Sequence, residues 1–268
     1  KITMEENPVK GIKRKKNSSI VLGLTHLKEK KIDLFFSPGN SGAVVYGVAQ
    51  ILGLIKSIQF PVIATFIPNI YGNVILLDAG ANSFIDEDQG AELALMGKVL
   101  YQQFFKEPHP KIGILNMGKE WYKGPKWVKK LNNFLKKDTN YHYYGFVEGF
   151  DLFTSSCQVF ITGGYTGNIL LKGLEGVYDY VQFLLKDKIE WIEKNLKNQI
   201  HYSRIGAAVV LGAYGDVFLG HGITSPAALK NALVFSKDVY KLNISSYIEE
   251  EIRGRGFLSR LSNRRNEK

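Results

Sequence analysis

The chain has 268 residues, 45% of them apolar and 22% charged, a balance that excludes a disordered or fibrous protein and suffices for a sizeable core. No apolar run reaches the about 18 residues a membrane-spanning helix needs, the N-terminal stretch lacks the apolar centre of a signal peptide, and the single Cys157 excludes an internal disulfide, so a reducing, cytoplasmic setting is expected. The formal charge of +10 calls for an acidic partner, whether nucleic acid, an anionic membrane surface or an acidic protein.

In chain order, the basic run Lys13, Arg14, Lys15 and Lys16 precedes Asn17, Ser18 and Ser19, which read as caps of a helix carrying Ile20, Leu24 and Leu27. Cations ahead of a helix N-terminus oppose its dipole, so this run either faces an anionic partner or is simply solvated. Five strand-like runs then each end in a glycine-bearing turn. Residues 32–36 lead into Ser37-Pro38-Gly39-Asn40-Ser41-Gly42, residues 74–77 into Asp78-Ala79-Gly80-Ala81-Asn82, and residues 112–115 into Asn116-Met117-Gly118. Residues 159–161 lead into Thr162-Gly163-Gly164-Tyr165-Thr166-Gly167-Asn168, and residues 217–219 into Gly220-His221-Gly222. Buried parallel strands alternating with helices predict a layered α/β fold, a mostly parallel sheet covered on both faces. Val177, Val181, Leu184, Leu185, Ile192 and Leu196 recur at helical spacing; this amphipathic helix packs on the core, on another subunit, or on a membrane surface. Residues 1–252 read as one α/β domain and residues 253–268 as a basic tail.

A glycine turn where a strand hands over to a helix leaves main-chain N–H groups unpaired at the positive end of the helix dipole, which suits an anion. One such turn says little, since tight turns need glycine anyway. Several at strand ends, carrying Ser, Thr and Asn, favour phosphate. None matches the dinucleotide fingerprint or the P-loop in register, so nucleotide binding is disfavoured. Lys123 brings a cation close to the third turn or is solvated, and His221 either acts chemically or fixes its turn. The five histidines show no ligand spacing and no nucleophile elbow is present, so neither a metal nor a serine hydrolase is expected. Cys157 lies beside an apolar run without a neighbouring base and reads as structural. No aromatic pattern typical of RNA binding appears, and a nucleic-acid partner is not expected.

Taken together, Lys15-Lys16-Asn17-Ser18-Ser19, Ser37-Pro38-Gly39-Asn40-Ser41-Gly42-Ala43, Leu76-Leu77-Asp78-Ala79-Gly80-Ala81-Asn82 and Leu115-Asn116-Met117-Gly118 with Lys123-Gly124 resemble the PlsX-type phosphate acyltransferases of bacteria. Val147-Glu148-Gly149, Gly164-Tyr165-Thr166-Gly167-Asn168 with Lys172, and Gly220-His221-Gly222 with Lys230-Asn231-Ala232 continue the series in order. The resemblance implies a phosphotransacetylase/isopropylmalate dehydrogenase-like fold. It also implies transfer of a long-chain acyl group from acyl carrier protein to inorganic phosphate, without a cofactor, for phospholipid synthesis. It further implies a homodimer, peripheral association with the inner face of the membrane, and delivery of product to a membrane-bound glycerol-3-phosphate acyltransferase. The family's critical lysine and asparagine fall on Lys123 and Asn168. Ser37, Gly39, Asn40, Ser41, Gly42, Asp78, Asn82, Thr166, Gly167 and His221 would line the phosphate and substrate site.

The match departs from the family in several places. Pro125 stands where the family has Asn, Phe150 where it has Arg and Gly163 where it has Asp, each a lost polar group. The family's first strand, with its Asp-Ala-Met-Gly-Gly-Asp turn, has no counterpart in the chain. Two alternatives follow: a relative that binds carrier protein or phosphate without turnover, and a phosphotransacetylase using coenzyme A.

Overall fold

The computed structural model describes residues 1–87, 89–185, 206–220 and 226–254. His221, the basic segment 255–268 and positions Ile192 and Leu196 of the amphipathic helix lie outside the described residues. Eight described strands form one sheet: β1 (Leu34–Ser37), β2 (Val62–Asn69), β3 (Gly72–Leu77), β4 (Lys111–Leu115), β5 (His142–Val147), β6 (Val159–Ile161), β7 (Ala207–Leu211) and β8 (Asp216–Gly220). Their spatial order is β1-β8-β7-β2-β3-β6-β4-β5. The described helices are α1 (Pro8–Arg14), α2 (Ser19–Lys28), α3 (Ser41–Gly47), α4 (Gly90–Phe105), α5 (Lys126–Lys137), α6 (Asp151–Thr154), α7 (Gly164–Leu184), α8 (Pro226–Tyr240) and α9 (Ile244–Gly254), with a π-helical turn at Val48–Leu52 continuing α3.

The parallel run β3-β6-β4-β5 follows from strands such as Val74 to Leu77 and Val159 to Ile161, apolar on both faces and followed by helices. The other half of the sheet contains the antiparallel pairings of this mostly parallel sheet. β2 is antiparallel to β3 and to β7, and β7 is antiparallel to β8, so β1 and β8, parallel to each other, run opposite to β3. Two hairpins cause the reversals. Asn69 closes the first by accepting the Tyr71 N–H on its side chain at 2.8 Å before Gly72, and Gly212 and Gly215, at φ +91° and +107°, shape the second. Pro68, which cannot donate to a ladder, is tolerated in β2 because β7 pairs only with Val62 to Ala64.

On one face, α1 to α3 cover β1, β8 and β7, with Ile12, Leu24, Val44 and Val48 against Val210, Val217 and Leu219. Further along the same face, α6 and α7 cover β3 and β6 through Leu152, Leu170 and Leu174 against Leu76 and Phe160. The opposite face carries α4, α5, α8 and α9, where Met96, Leu131, Phe235 and Ile248 meet Ala64, Phe66, Leu77 and Phe218. α4 comes so close that a Cβ on Gly97 would lie 2.7 Å from Val159 Cγ1 and 2.8 Å from Leu77 Cδ2.

Ser18 is the residue of the predicted trio that caps α2, accepting the Val21 N–H. The basic run gains a plainer explanation than an anionic partner. Lys13 and Arg14 end α1, a helix the periodicity did not suggest, where cations suit the dipole, and Lys15 pairs with Glu6. Val177, Val181 and Leu184 of α7 are exposed, so the chain's own described core is not what they cover.

Candidate functional site

The turn after β3 is organised from beneath by one carboxylate. Asp78 is fully buried; its Oδ1 accepts the N–H groups of Ile63, Gly80 and Ala81 at 3.2, 3.0 and 2.9 Å, and its Oδ2 accepts the Asn82 N–H and side-chain amide at 2.9 and 2.8 Å. Burial pushes the Asp78 carboxyl above its ordinary range, against the downward pull of Ala81, Asn82, Gly80 and Ile63. The Asn82 amide also donates to Pro61 O at 2.9 Å, which ties the turn to the start of β2. Gly80 stands at φ +130°, a conformation that side chains disfavour.

The first turn of α7 lands directly on this loop. A Cβ on Gly164 would overlap Asn82 O, and one on Gly167 would overlap Asp78 O, so both positions require glycine. That close approach sets Asn168 against Gly80, with its Nδ2 3.5 Å from Ala79 O. One helical turn further, Lys172 lies on the same side of α7 and pairs with Glu175 at 2.9 Å.

The turn after β1 approaches from the other side. Ser37 accepts the Gly39 N–H at 3.2 Å, and Asn40 caps α3 through the Ala43 N–H at 2.9 Å while its amide donates to Thr3, Met4 and Glu6 carbonyls. Asn40 thus pins the N-terminal segment beside the cavity.

Between these parts, over β2, lies a cavity of about 160 Å3. Ile63 and Thr65 of β2 and Ala208 of β7 form its floor, Met4, Gly39 and Ser41 one wall, and Asn168, Leu171 and Lys172 the other, with Ala79 and Gly80 above. It offers amide and hydroxyl donors, a short apolar side, and the Lys172 cation paired with Glu175, a carboxylate that also lines it; a small anion beside an organic group fits this inventory once Lys172 turns from Glu175. A larger cavity, about 410 Å3, sits at the opposite ends of β3 and β4 among Asn73, Lys111, His142 and Gln158; none of the residues expected to act lines it.

Of the expected site residues, Gly39, Ser41 and Asn168 line the cavity. Ser37, Asn40, Asp78, Asn82 and Gly167 are not in its lining; they stand behind it and hold its turns, through side-chain hydrogen bonds at the first four and close helix approach at Gly167. Gly42 packs against Pro8, and Thr166 is exposed outside the lining. Lys123 does not line the cavity either. It folds over Gly118 in the loop after β4 and pairs with Glu120 at 2.9 Å, a hydrogen bond that raises its pKa. Lys172 was present in the motif without a role; its spacing of four from Asn168 on a helix was the signal that it shares that residue's side. Thr65 and Met4 carried no signal, because their placement depends on the hairpin and on the Asn40 anchor.

Cys157 is buried, its Sγ donating to Lys111 and Val159 carbonyls, and burial pushes the thiol up to about 12, which agrees with a structural cysteine. Among the described residues no three His, Cys, Asp or Glu side chains are grouped to hold a metal, and no helix is long and apolar enough to cross a membrane.

Comparison with solved structures finds the same fold in a branched-chain phosphotransacylase from Enterococcus faecalis, with a TM-score of 0.56 at 12% identity over 81% of this chain and 77% of that one. The EutD phosphotransacetylase from Staphylococcus aureus gives a TM-score of 0.55 at 14% identity over 82% of this chain and 66% of that one. At the sequence level the chain is 35% identical over 265 residues to the phosphate acyltransferase of Halothermothrix orenii, covering 94% of this chain and 79% of the relative. It is 38% identical over 263 residues to that of Dictyoglomus thermophilum, covering 93% and 78%. A family model described as fatty acid synthesis protein matches residues 1–247, and with the turns, the fold and the relatives agreeing, the chain belongs to this family, the PlsX-type phosphate acyltransferases that its motifs resemble.

Proposed function

We propose that the chain is a phosphate acyltransferase that moves a long-chain acyl group from the thioester of acyl carrier protein onto inorganic phosphate, releasing the carrier thiol and forming an acyl phosphate for phospholipid synthesis. The observation that carries this reading is the convergence of Asn168, Lys172 and the Gly39 and Gly80 turns on one cavity over β2. Phosphate oxygen attacks the thioester carbonyl carbon, the C–S bond breaks, and the departing thiolate, from a thiol of ordinary pKa about 8.5, needs little acid assistance. The site must therefore position the reactants and stabilise the oxyanion rather than supply a strong base. Asn168 supplies an amide donor for the oxyanion or the phosphate. Lys172 balances phosphate charge, in competition with Glu175. Lys123, the residue that the resemblance implies, reaches the phosphate once its pair with Glu120 opens.

The assay is acyl phosphate formation from acyl carrier protein and phosphate, with acyl-coenzyme A as competing donor. Asn168→Ala should lower kcat about a hundredfold, the scale of one lost oxyanion donor. Lys172→Ala should raise KM for phosphate about tenfold, the cost of a lost charged contact. Lys123→Ala should lower kcat, and an unchanged kcat would remove it from the reaction. Preference for acyl-coenzyme A would favour a phosphotransacetylase, and carrier binding without product would favour a non-catalytic relative.

A homodimer and peripheral membrane contact extend the same reading. Supporting them, Val177, Tyr180, Phe183 and Leu184 leave an apolar side of α7 exposed for a second copy or a lipid surface, from which a lipid-soluble product could pass to a membrane-bound glycerol-3-phosphate acyltransferase.

A further inference from the structure

Between residues 119 and 137 the sequence places seven lysines, one acid and no arginine, so this stretch supplies six of the ten net positive charges. In the fold it forms the loop after β4 and all of α5. Val128, Leu131 and Leu135 of α5 are buried, leaving Lys126, Lys136 and Lys137 exposed. Lys126, Lys129, Lys136 and Lys137 make no ion pair among the described residues. The loop that leads into α5 carries Met117, Trp121 and Tyr122, and Phe150 immediately precedes α6; they are exposed by 74%, 72%, 57% and 62%. Trp121 meets Tyr122 edge-on at 6.0 Å, while Lys119 lies 6.0 Å from the Phe150 ring and 3.8 Å from Asp151. Exposed aromatic side chains interleaved in sequence with lysines, and in contact with one at Phe150, have the make-up of a protein interface, aromatic anchors among charged groups.

We propose that this patch docks the acidic carrier protein that delivers the acyl thioester, a partner that rests on the function proposed above. Its position fits. Trp127, in the first turn of α5, packs beside Gly163, the residue that opens α7. From Gly164, Asn168 and Lys172 follow about 6 Å and about 12 Å along the helix axis, so a carrier seated here presents a flexible arm to the cavity. Its chemistry fits as well. Lysines are hydrated point charges on flexible stems, which speed encounter with an acidic surface without the bidentate grip of arginine, and a carrier must leave after every turnover. Glu120 and Asp151 set among the lysines make a pattern of both signs, which discrete charges on a protein can match and a uniformly anionic lipid surface does not.

The test compares the wild type with Lys126→Glu/Lys129→Glu and, separately, Trp121→Ala/Tyr122→Ala. Both variants should raise KM for acyl carrier protein about tenfold or more, with kcat, KM for phosphate, and turnover of a small acyl-pantetheine thioester within about twofold. Direct binding of acyl carrier protein, followed by fluorescence anisotropy, should weaken in parallel, and its salt dependence should be shallower for the lysine variant. An unchanged carrier KM and affinity would overturn the proposal, as would an equal loss with the small thioester. It would also fall if binding to vesicles of anionic lipid were lost while carrier affinity stayed intact. If the wild type makes no acyl phosphate from either donor, the proposed activity fails, and the anisotropy comparison still decides whether the patch docks the carrier.

Discussion

Asp78 offers no open oxygen to a ligand, yet the cavity depends on it. Five donors converge on its carboxylate, and the Gly80 conformation, the Asn82 amide and the seat of α7 follow from that convergence. Asn at this position would turn an NH2 group toward N–H donors and leave some of them unpaired in a buried place. Asp78→Asn should therefore cost about 1–3 kcal/mol and raise KM for phosphate as the turn shifts. Urea unfolding and steady-state kinetics check it; wild-type stability would mean that the turn is held by something else. The sequence shows a polar residue beside glycine here, but not whether its side chain points into the crevice or beneath it. That choice is made by the Ile63 N–H, contributed by a strand the glycine pattern did not mark, and by the Asn82 amide, itself anchored on the Pro61 carbonyl just before that strand. Asn168 was legible through the resemblance of its Gly-rich turn, and the close approach of Gly164 and Gly167 to the Asp78 loop gives the physical reason for that turn. Lys123 was legible as a cation near a turn; its engagement with Glu120 was not.

At the scale of elements, β3, β4 and β6 were readable because strands buried on both faces followed by helices have few other arrangements, whereas β5, half exposed, and β7 were not marked. The direction of β1 and β8 was not readable. Antiparallel and parallel strands buried on both faces look alike in sequence, and only the two hairpins, with their modest turn signals at Asn69-Gly72 and Gly212-Gly215, distinguish them. The reversed half still reaches the site because helices α1 to α3 and α7 share one face and leave a gap over β2. On the opposite face, the seat of α4 is set by Gly97. A methyl there would press on Val159 and Leu77 in the middle of the sheet, and overpacking of this kind costs about 1–3 kcal/mol. Gly97→Ala should lower the urea midpoint with an unchanged m-value, and an unaltered midpoint would contradict the close approach.

For the molecule as a whole, carboxyls raised by burial tilt the response to pH, Glu92 and Asp216 together with Asp78. Glu92, fully buried and accepting the Gln59 N–H and side-chain amide at 2.8 Å each, is pushed up by burial to about 7, and burial also raises Asp216 to about 7. Both folded values exceed the ordinary 4.5 and 3.8, so the folded state holds these protons more tightly than the unfolded one. Their stabilisation is whole below the ordinary values and is lost as pH rises through about 7. Glu6, Glu29 and Glu120, lowered first by hydrogen bonds to Lys15, Lys31 and Lys123, act in the opposite sense at lower pH, so between about pH 5 and about pH 8 the raised carboxyls act without that opposition. Tm should fall across that window, and Glu92→Gln with Asp216→Asn should flatten the fall. Thermal scans at several pH values check this, and an identical slope in the double variant would refute it. The same sheet order bears on synthesis. β2 gains β7 as its neighbour only after residue 207 has been made, so a nascent chain that has already formed the β2–β3 hairpin carries an open, strongly apolar strand edge while residues 78 to 207 are added. Ribosome pausing between β3 and β7 would lengthen that exposure and favour edge-to-edge association of unfinished chains.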